Sequence, residues 1–337
     1  MIDNVKKYSK ICSRIGWAML IFYSLFTLST AGVALLQGIV SAITFNFAIE
    51  AIFEVALAIV YFLSFVIPAF ILCKMEKRVH GAKPIFKSCK LNGSIILIVI
   101  AIIAINFTIS YLNATMVTSL FPSLASKFDL LMDSNLDDRP FYQIIILFII
   151  SIFSTAIVPA ICEEYLFRGA ILTNLLPYGK TVAIVGSAFL FGLMHQNPLQ
   201  LLYTTLMGVA IGYVYVKTKS IWACMIIHFT NNLVAVLEEY LPVLTKIDWI
   251  VSAVDLGVVL LGGLAVLILI LKKDKEKRID ENGSFGVVFE RGMDVEEYPL
   301  ELTNGKKVRR FFSATIIIFT IVAVFSMGQI LLVYFLV

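Results

Sequence analysis

Apolar positions in this chain do not alternate with polar ones at the spacing of a half-buried strand, nor do they form the narrow stripe of a helix on a water-soluble core. They fill continuous runs, at roughly 15 to 40, 47 to 73, 94 to 121, 141 to 176, 180 to 195, 199 to 216, 221 to 237, 249 to 271 and 311 to 336. A helix needs about 20 apolar residues to cross a hydrocarbon core of roughly 30 Å. The pattern therefore predicts an all-α polytopic membrane protein with about nine transmembrane helices and a conical or bundle-like core.

Composition agrees: 60% of the 337 residues are hydrophobic and 15% are charged, outside the usual range of a water-soluble domain. The first run follows Lys6, Lys7, Lys10 and Arg14 but is too long for a signal peptide and lacks a small-residue cleavage site, so a retained helix is expected. Cytoplasmic loops keep Lys and Arg. With the N-terminus inside, the inner segments (1–14, 74–93, Lys180, Lys217 with Lys219, and 272–310) hold 23 basic residues, and the outer ones hold only Lys127, Arg139 and Lys246. This places the N-terminus in the cytoplasm and the C-terminus outside, in a membrane expected to be a prokaryotic plasma membrane. The basic residues are dispersed over separate loops, which explains the net charge of +4 without a nucleic-acid partner.

Three divisions are expected: 1–140, with the first helices and an acidic outer loop; 141–240, a catalytic core; and 241–337, the last helices with a polar insert at 272–310. Within the insert, Asn304-Gly305 between Leu300 to Leu302 and Val308 to Phe312 reads as a small hairpin. Asp129, Asp133, Asp137 and Asp138 form a plain acidic loop, which would bind calcium only on convergence. Five cysteines, at 12, 73, 89, 162 and 224, have neither metal-ligand spacing nor an even count.

Ionisable groups inside apolar helices cost a few kcal/mol each on insertion, so each needs a partner or a task. Glu50, Glu54 and Asp255 near outer helix ends read as snorkelling or protonated groups. The run Ile161-Cys-Glu163-Glu164-Tyr-Leu-Phe-Arg168-Gly169 is different, with two carboxylates and a guanidinium in one apolar helix. Glu164 and Arg168, at i and i+4, pair along one face, whereas Glu163 is turned away by about 100° and is the freer carboxylate, suited to proton transfer. Two of the three histidines also lie in apolar runs, as Phe191-x-x-x-His195 and His228-x-x-x-Asn232. Counted from the Pro177-Tyr-Gly179-Lys180 turn at about 1.5 Å per residue, Glu163 and His195 lie level, roughly 22 to 26 Å in; His228 and Asn232 are somewhat shallower.

Glu163-Glu164-x-x-x-Arg168, Phe191-x-x-x-His195 and His228-x-x-x-Asn232, in this order, resemble the three motifs of the CAAX prenyl protease 2-like (CPBP) family of intramembrane proteases. The resemblance implies peptide-bond hydrolysis within the membrane, with Glu163 and His195 activating water and His228 and Asn232 stabilising the oxyanion. Glu164, Arg168 and Phe191 would support them. Membrane lipid and a peptide or membrane-protein substrate are the implied partners. No cofactor is favoured; Glu163, His195 and His228 would be the ligands of a zinc ion if one were used, although the chain lacks a His-Glu-x-x-His helix and Asn232 suits an oxyanion better than a metal. The competing readings are a non-enzymatic membrane regulator or bacteriocin-immunity protein that keeps the fold, and a proton-coupled transporter using Glu50, Glu54 and Glu163.

Overall fold

The computed structural model describes residues 2–44, 46–80, 93–123, 136–218, 220–247, 249–280 and 302–336. Among them the regular elements are all helical: α1 (Ile2–Ile43), α2 (Phe47–His80), α3 (Gly93–Leu120), a segmented α4 (141–178) after a short 3-10 turn (Leu136–Asp138), α5 (Lys180–Met194), α6 (Leu201–Thr218), α7 (Ile221–Thr245), α8 (Ile250–Asp280), α9 (Asn304–Phe311) and α10 (Ala314–Leu336). The protein is thus all-α and polytopic. Seven described helices are long and apolar enough to span a bilayer. Their outward faces carry Leu28, Leu35, Ile43, Leu260, Leu261 and Phe325, all more than half exposed, as lipid contact requires.

The expected runs 180 to 195 and 199 to 216 differ from the other seven. The first forms the 15-residue α5, about 22 Å long and therefore short of a 30 Å crossing. The chain then turns at 195–200, where Gln196 takes a left-handed φ of 53°, and returns through the 18 residues of α6. Irregular backbone at membrane depth needs internal partners. Here Asn113 Nδ2 donates to Leu199 O (2.9 Å), and Leu199 N donates to Asn197 Oδ1 (2.9 Å).

Small residues let the helices approach. A Cβ on Gly192 of α5 would strike Thr205 of α6, and one on Gly262 of α8 would overlap Ala104 of α3, so each pair of backbones meets where a side chain is missing. The main apolar core joins α1, α2, α4, α5, α6, α7 and α10 through fully buried Phe22, Phe65, Phe167, Phe191, Ile211, Tyr215 and Phe319.

Two expectations outside the core are corrected. Asn304-Gly305 does not turn a hairpin: Asn304–Phe311 is helical with Thr303 as its N-cap residue, because the Lys306-Lys307-Val308-Arg309-Arg310-Phe311 run gathers its basic residues away from buried Phe311. Of the arm expected at Leu300 to Leu302, residues 300 and 301 fall outside the described residues, as do Cys89, Asp129 and Asp133. Glu50 does not snorkel; Arg139 grips it through two hydrogen bonds of 2.8 and 2.7 Å. That contact raises the Arg139 pKa above its ordinary value and ties the outer end of α2 to the entry of α4.

Candidate functional site

The site begins with departures from regular α geometry in α4. Two π-helical stretches, Ile152–Ile157 and Tyr165–Leu172, flank the α turn Val158–Glu164 that carries both glutamates. Wide turns of this kind occur mostly at functional sites, because they rotate side chains out of register with the rest of the helix. Pro159 contributes a second irregularity. It has no N–H for the carbonyl four residues back, Thr155, and that oxygen accepts instead from Asn232 Nδ2 of α7 at 3.0 Å.

The two carboxylates have separate surroundings. Glu164 is fully buried, and its Oε1 accepts from Arg168 Nη1 at 2.8 Å and lies 2.9 Å from His228 Nδ1. Arg168, 1% exposed, also donates from Nη2 to Gly208 O of α6 (3.1 Å) and lies 4.7 Å from the centre of the Phe191 ring. Carboxylate, guanidinium and imidazole thus form one buried hydrogen-bonded chain across α4, α6 and α7, with the guanidinium set over the Phe191 ring. Glu163, 2% exposed, takes a short hydrogen bond from Tyr61 of α2 on Oε1, while its Oε2 has no partner and faces His228 Nε2 at 4.0 Å. The i, i+4 pairing of Glu164 with Arg168 and the freedom of Glu163 are as the sequence implies.

His195 caps the C-terminus of α5. Its Nδ1 lies 2.8 Å from Phe191 O, and since a carbonyl only accepts, that nitrogen carries the proton and Nε2 presents a lone pair. Phe191 packs edge-on against both imidazoles, with centroids 5.0 Å from His195 and 5.9 Å from His228. Asn232 is oriented from its other side: Tyr203 donates to Asn231 Oδ1 (2.9 Å), and Asn231 Nδ2 donates to Asn232 Oδ1 (3.3 Å).

All four candidate catalytic residues, Glu163, His195, His228 and Asn232, line one cavity of about 700 Å³. Its walls come from α2, α3, α4, the α5–α6 turn, α6 and α7, and include Glu54, Tyr61, Asn113, Tyr203 and Glu238. Glu164, Arg168 and Phe191 lie just behind the wall. Tyr61 and Asn231 escape sequence reasoning: a tyrosine in an apolar helix is ordinary, and only the fold brings α2 against α4.

Zinc was the alternative use of Glu163, His195 and His228. Among the described residues no group of three or more His, Cys, Asp or Glu side chains is arranged to hold a metal ion, and Glu163, by its Tyr61 contact, and both Nδ1 atoms are held by protein partners. Cys12, Cys162 and Cys224 are buried free thiols, none within this hydrogen-bonded set.

Comparison with known proteins falls on the same stretch. Residues 145–234 match the family model described as Type II CAAX prenyl endopeptidase Rce1-like. A curated protein of Bacillus subtilis (strain 168), named "Putative membrane peptidase YdiL", is 32% identical over 113 residues, covering 33% of this chain and 44% of that protein. The chain therefore spans less than half the length of that relative. No solved structure matches. The matched stretch holds all three motifs, both π-helical turns and most of the cavity's polar lining, so the similarity to the Rce1-like CAAX prenyl endopeptidase family falls on the part of the chain that builds the site.

Proposed function

We propose that the chain is an intramembrane endopeptidase that hydrolyses a peptide bond of a membrane-associated peptide or protein, with Glu163, His195, His228 and Asn232 as its catalytic residues. The observation that carries the reading is the unpartnered Glu163 Oε2 beside His228 Nε2 on the wall of a cavity shared with His195 and Asn232.

In this mechanism Tyr61 occupies Glu163 Oε1, so Oε2 accepts the proton of a water molecule, aided by the lone pair of His195 Nε2. The oxygen attacks the carbonyl carbon. The oxyanion receives hydrogen bonds from Asn232 Nδ2 and from His228, whose ring is oriented by Glu164 at Nδ1. The proton then passes to the leaving nitrogen and the C–N bond breaks, giving one carboxylate and one amine. Glu164 and Arg168 position His228 and do not touch substrate. Each group has the donor or acceptor its step needs, and no serine, cysteine or threonine nucleophile is called on.

The test is cleavage of membrane-associated peptides by the purified chain in lipid. Glu163→Gln, His195→Ala and His228→Ala should each abolish it while the variants remain folded; full activity in Glu163→Gln refutes the mechanism. Chelation with retained activity, together with less than one zinc per chain, supports the metal-free form; loss on chelation with recovery on zinc supports the other.

A further inference from the structure

The cavity is asymmetric across the membrane. Helix paths counted at about 1.5 Å per residue from the basic side begin at Lys74 for α2, Gly93 for α3, Lys180 for α5 and Ser220 for α7. On this scale the shallowest lining residue is His228, about 12 Å in, followed by Tyr61 and His195 at roughly 20 to 22 Å. Glu238, Glu54 and Thr118 lie at about 27, 30 and 38 Å, at the far ends of α7, α2 and α3. The members nearer the basic side, Glu163, Met207 and His228, are buried, whereas Ala114, Thr118 and Ala235 at the far end are exposed.

Among the described residues the other side is packed. Between the site and the basic loops lie Phe167, Leu172, Leu175, Ile211, Tyr215, Ile221 and Cys224, each with no exposed surface. The loops beyond are tied together: Tyr8 donates to Lys307 O (3.1 Å), and Lys307 Nζ donates to Tyr178 O (3.5 Å). These contacts join α1, the α4–α5 turn and α9 on the side that carries 23 of the 27 basic residues.

We propose that the cavity is entered from the face opposite the basic loops, so that its substrate is a polypeptide segment already carried to the non-cytoplasmic side. This deepens the peptidase reading, on which the word substrate rests, but the direction of entry follows from the lining, the packed inner core and the charge bias alone.

Thiol labelling in bacterial cells separates the two claims, because it requires no catalysis. Single variants Thr118→Cys and Ala235→Cys at the mouth, and Lys180→Cys and Lys306→Cys on the basic side, are made in a background with Cys73→Ser and Cys89→Ser, whose remaining Cys12, Cys162 and Cys224 are buried, and are treated with a membrane-impermeant maleimide beside that background. The proposal predicts that Thr118→Cys and Ala235→Cys label in intact cells, and that Lys180→Cys and Lys306→Cys label only in inverted vesicles. Mouth cysteines that label only in inverted vesicles, or in neither preparation, overturn it. Two mouth positions on different helices guard against a variant that misfolds. Loss of peptide cleavage in Glu163→Gln is read separately and tests the chemistry whatever the labelling shows.

Discussion

Arg168→Met removes the one guanidinium in the buried hydrogen-bonded chain while leaving an apolar side chain of comparable reach. The wild-type group is 1% exposed, bonded to Glu164 Oε1 at 2.8 Å and to Gly208 O at 3.1 Å, and stacked on Phe191. Its loss leaves Glu164, itself fully buried, with His228 as its remaining hydrogen-bond partner and removes the side-chain donor to the Gly208 carbonyl. Breaking a buried ion pair from one side costs about 3–5 kcal/mol, and the surviving imidazole contact puts the expected value near the lower end. Reversible unfolding in mixed micelles should therefore show a loss of about 3 kcal/mol, some two powers of ten in the folding constant. Glu164→Gln combined with Arg168→Met removes both charges, so the double variant should recover most of that loss. Equal stability of Arg168→Met and wild type, or a double variant weaker than the sum of the singles, would refute the buried-chain argument.

Three further outcomes follow from the same geometry. Tyr61→Phe deletes the donor to Glu163 Oε1; a hydrogen bond to a charged group is worth about 1.5–3 kcal/mol, so kcat for peptide cleavage should fall roughly ten- to a hundredfold with KM little changed. Gly262→Ala drives a methyl into Ala104 and should destabilise the chain by about 1–3 kcal/mol, whereas Gly263→Ala, with open space around it, should not; a matched loss in both by thermal unfolding would show that the α3–α8 approach is not the cause. Arg139→Ala should cost about 1 kcal/mol, since its pair with Glu50 is partly exposed, and the difference from wild type should shrink in high salt; a salt-independent difference would point to packing instead.

The parts legible in the sequence were those written in local pattern. Apolar runs announce membrane helices whatever surrounds them, and the i, i+4 spacing alone pairs Glu164 with Arg168 and leaves Glu163 free. Glu163 and His195, which the motif spacing singled out, line one cavity. What remained hidden depends on neighbours. The π-helical turns around Val158–Glu164 have one visible cue, Pro159, and its freed Thr155 carbonyl gains meaning only when Asn232 arrives from α7. Tyr61, in α2, is 102 positions from Glu163, and the Glu50–Arg139 clasp bridges 89. The shortness of α5 was not legible, since an apolar helix of 15 residues differs from a longer one in length and hardly in composition. Asn304-Gly305 suggested a turn because that dipeptide favours one, but the amphipathic basic run after it prevailed.

The central claim is that this cavity breaks peptide bonds, and newly formed polypeptide termini report it most directly. Membranes from cells producing the wild-type chain and from cells producing Glu163→Gln, matched for protein level, should differ in a defined set of new N-termini within or next to membrane segments. Those termini should be present with the wild type and absent with the variant. Identical terminal profiles, with both proteins folded and abundant, would contradict the account.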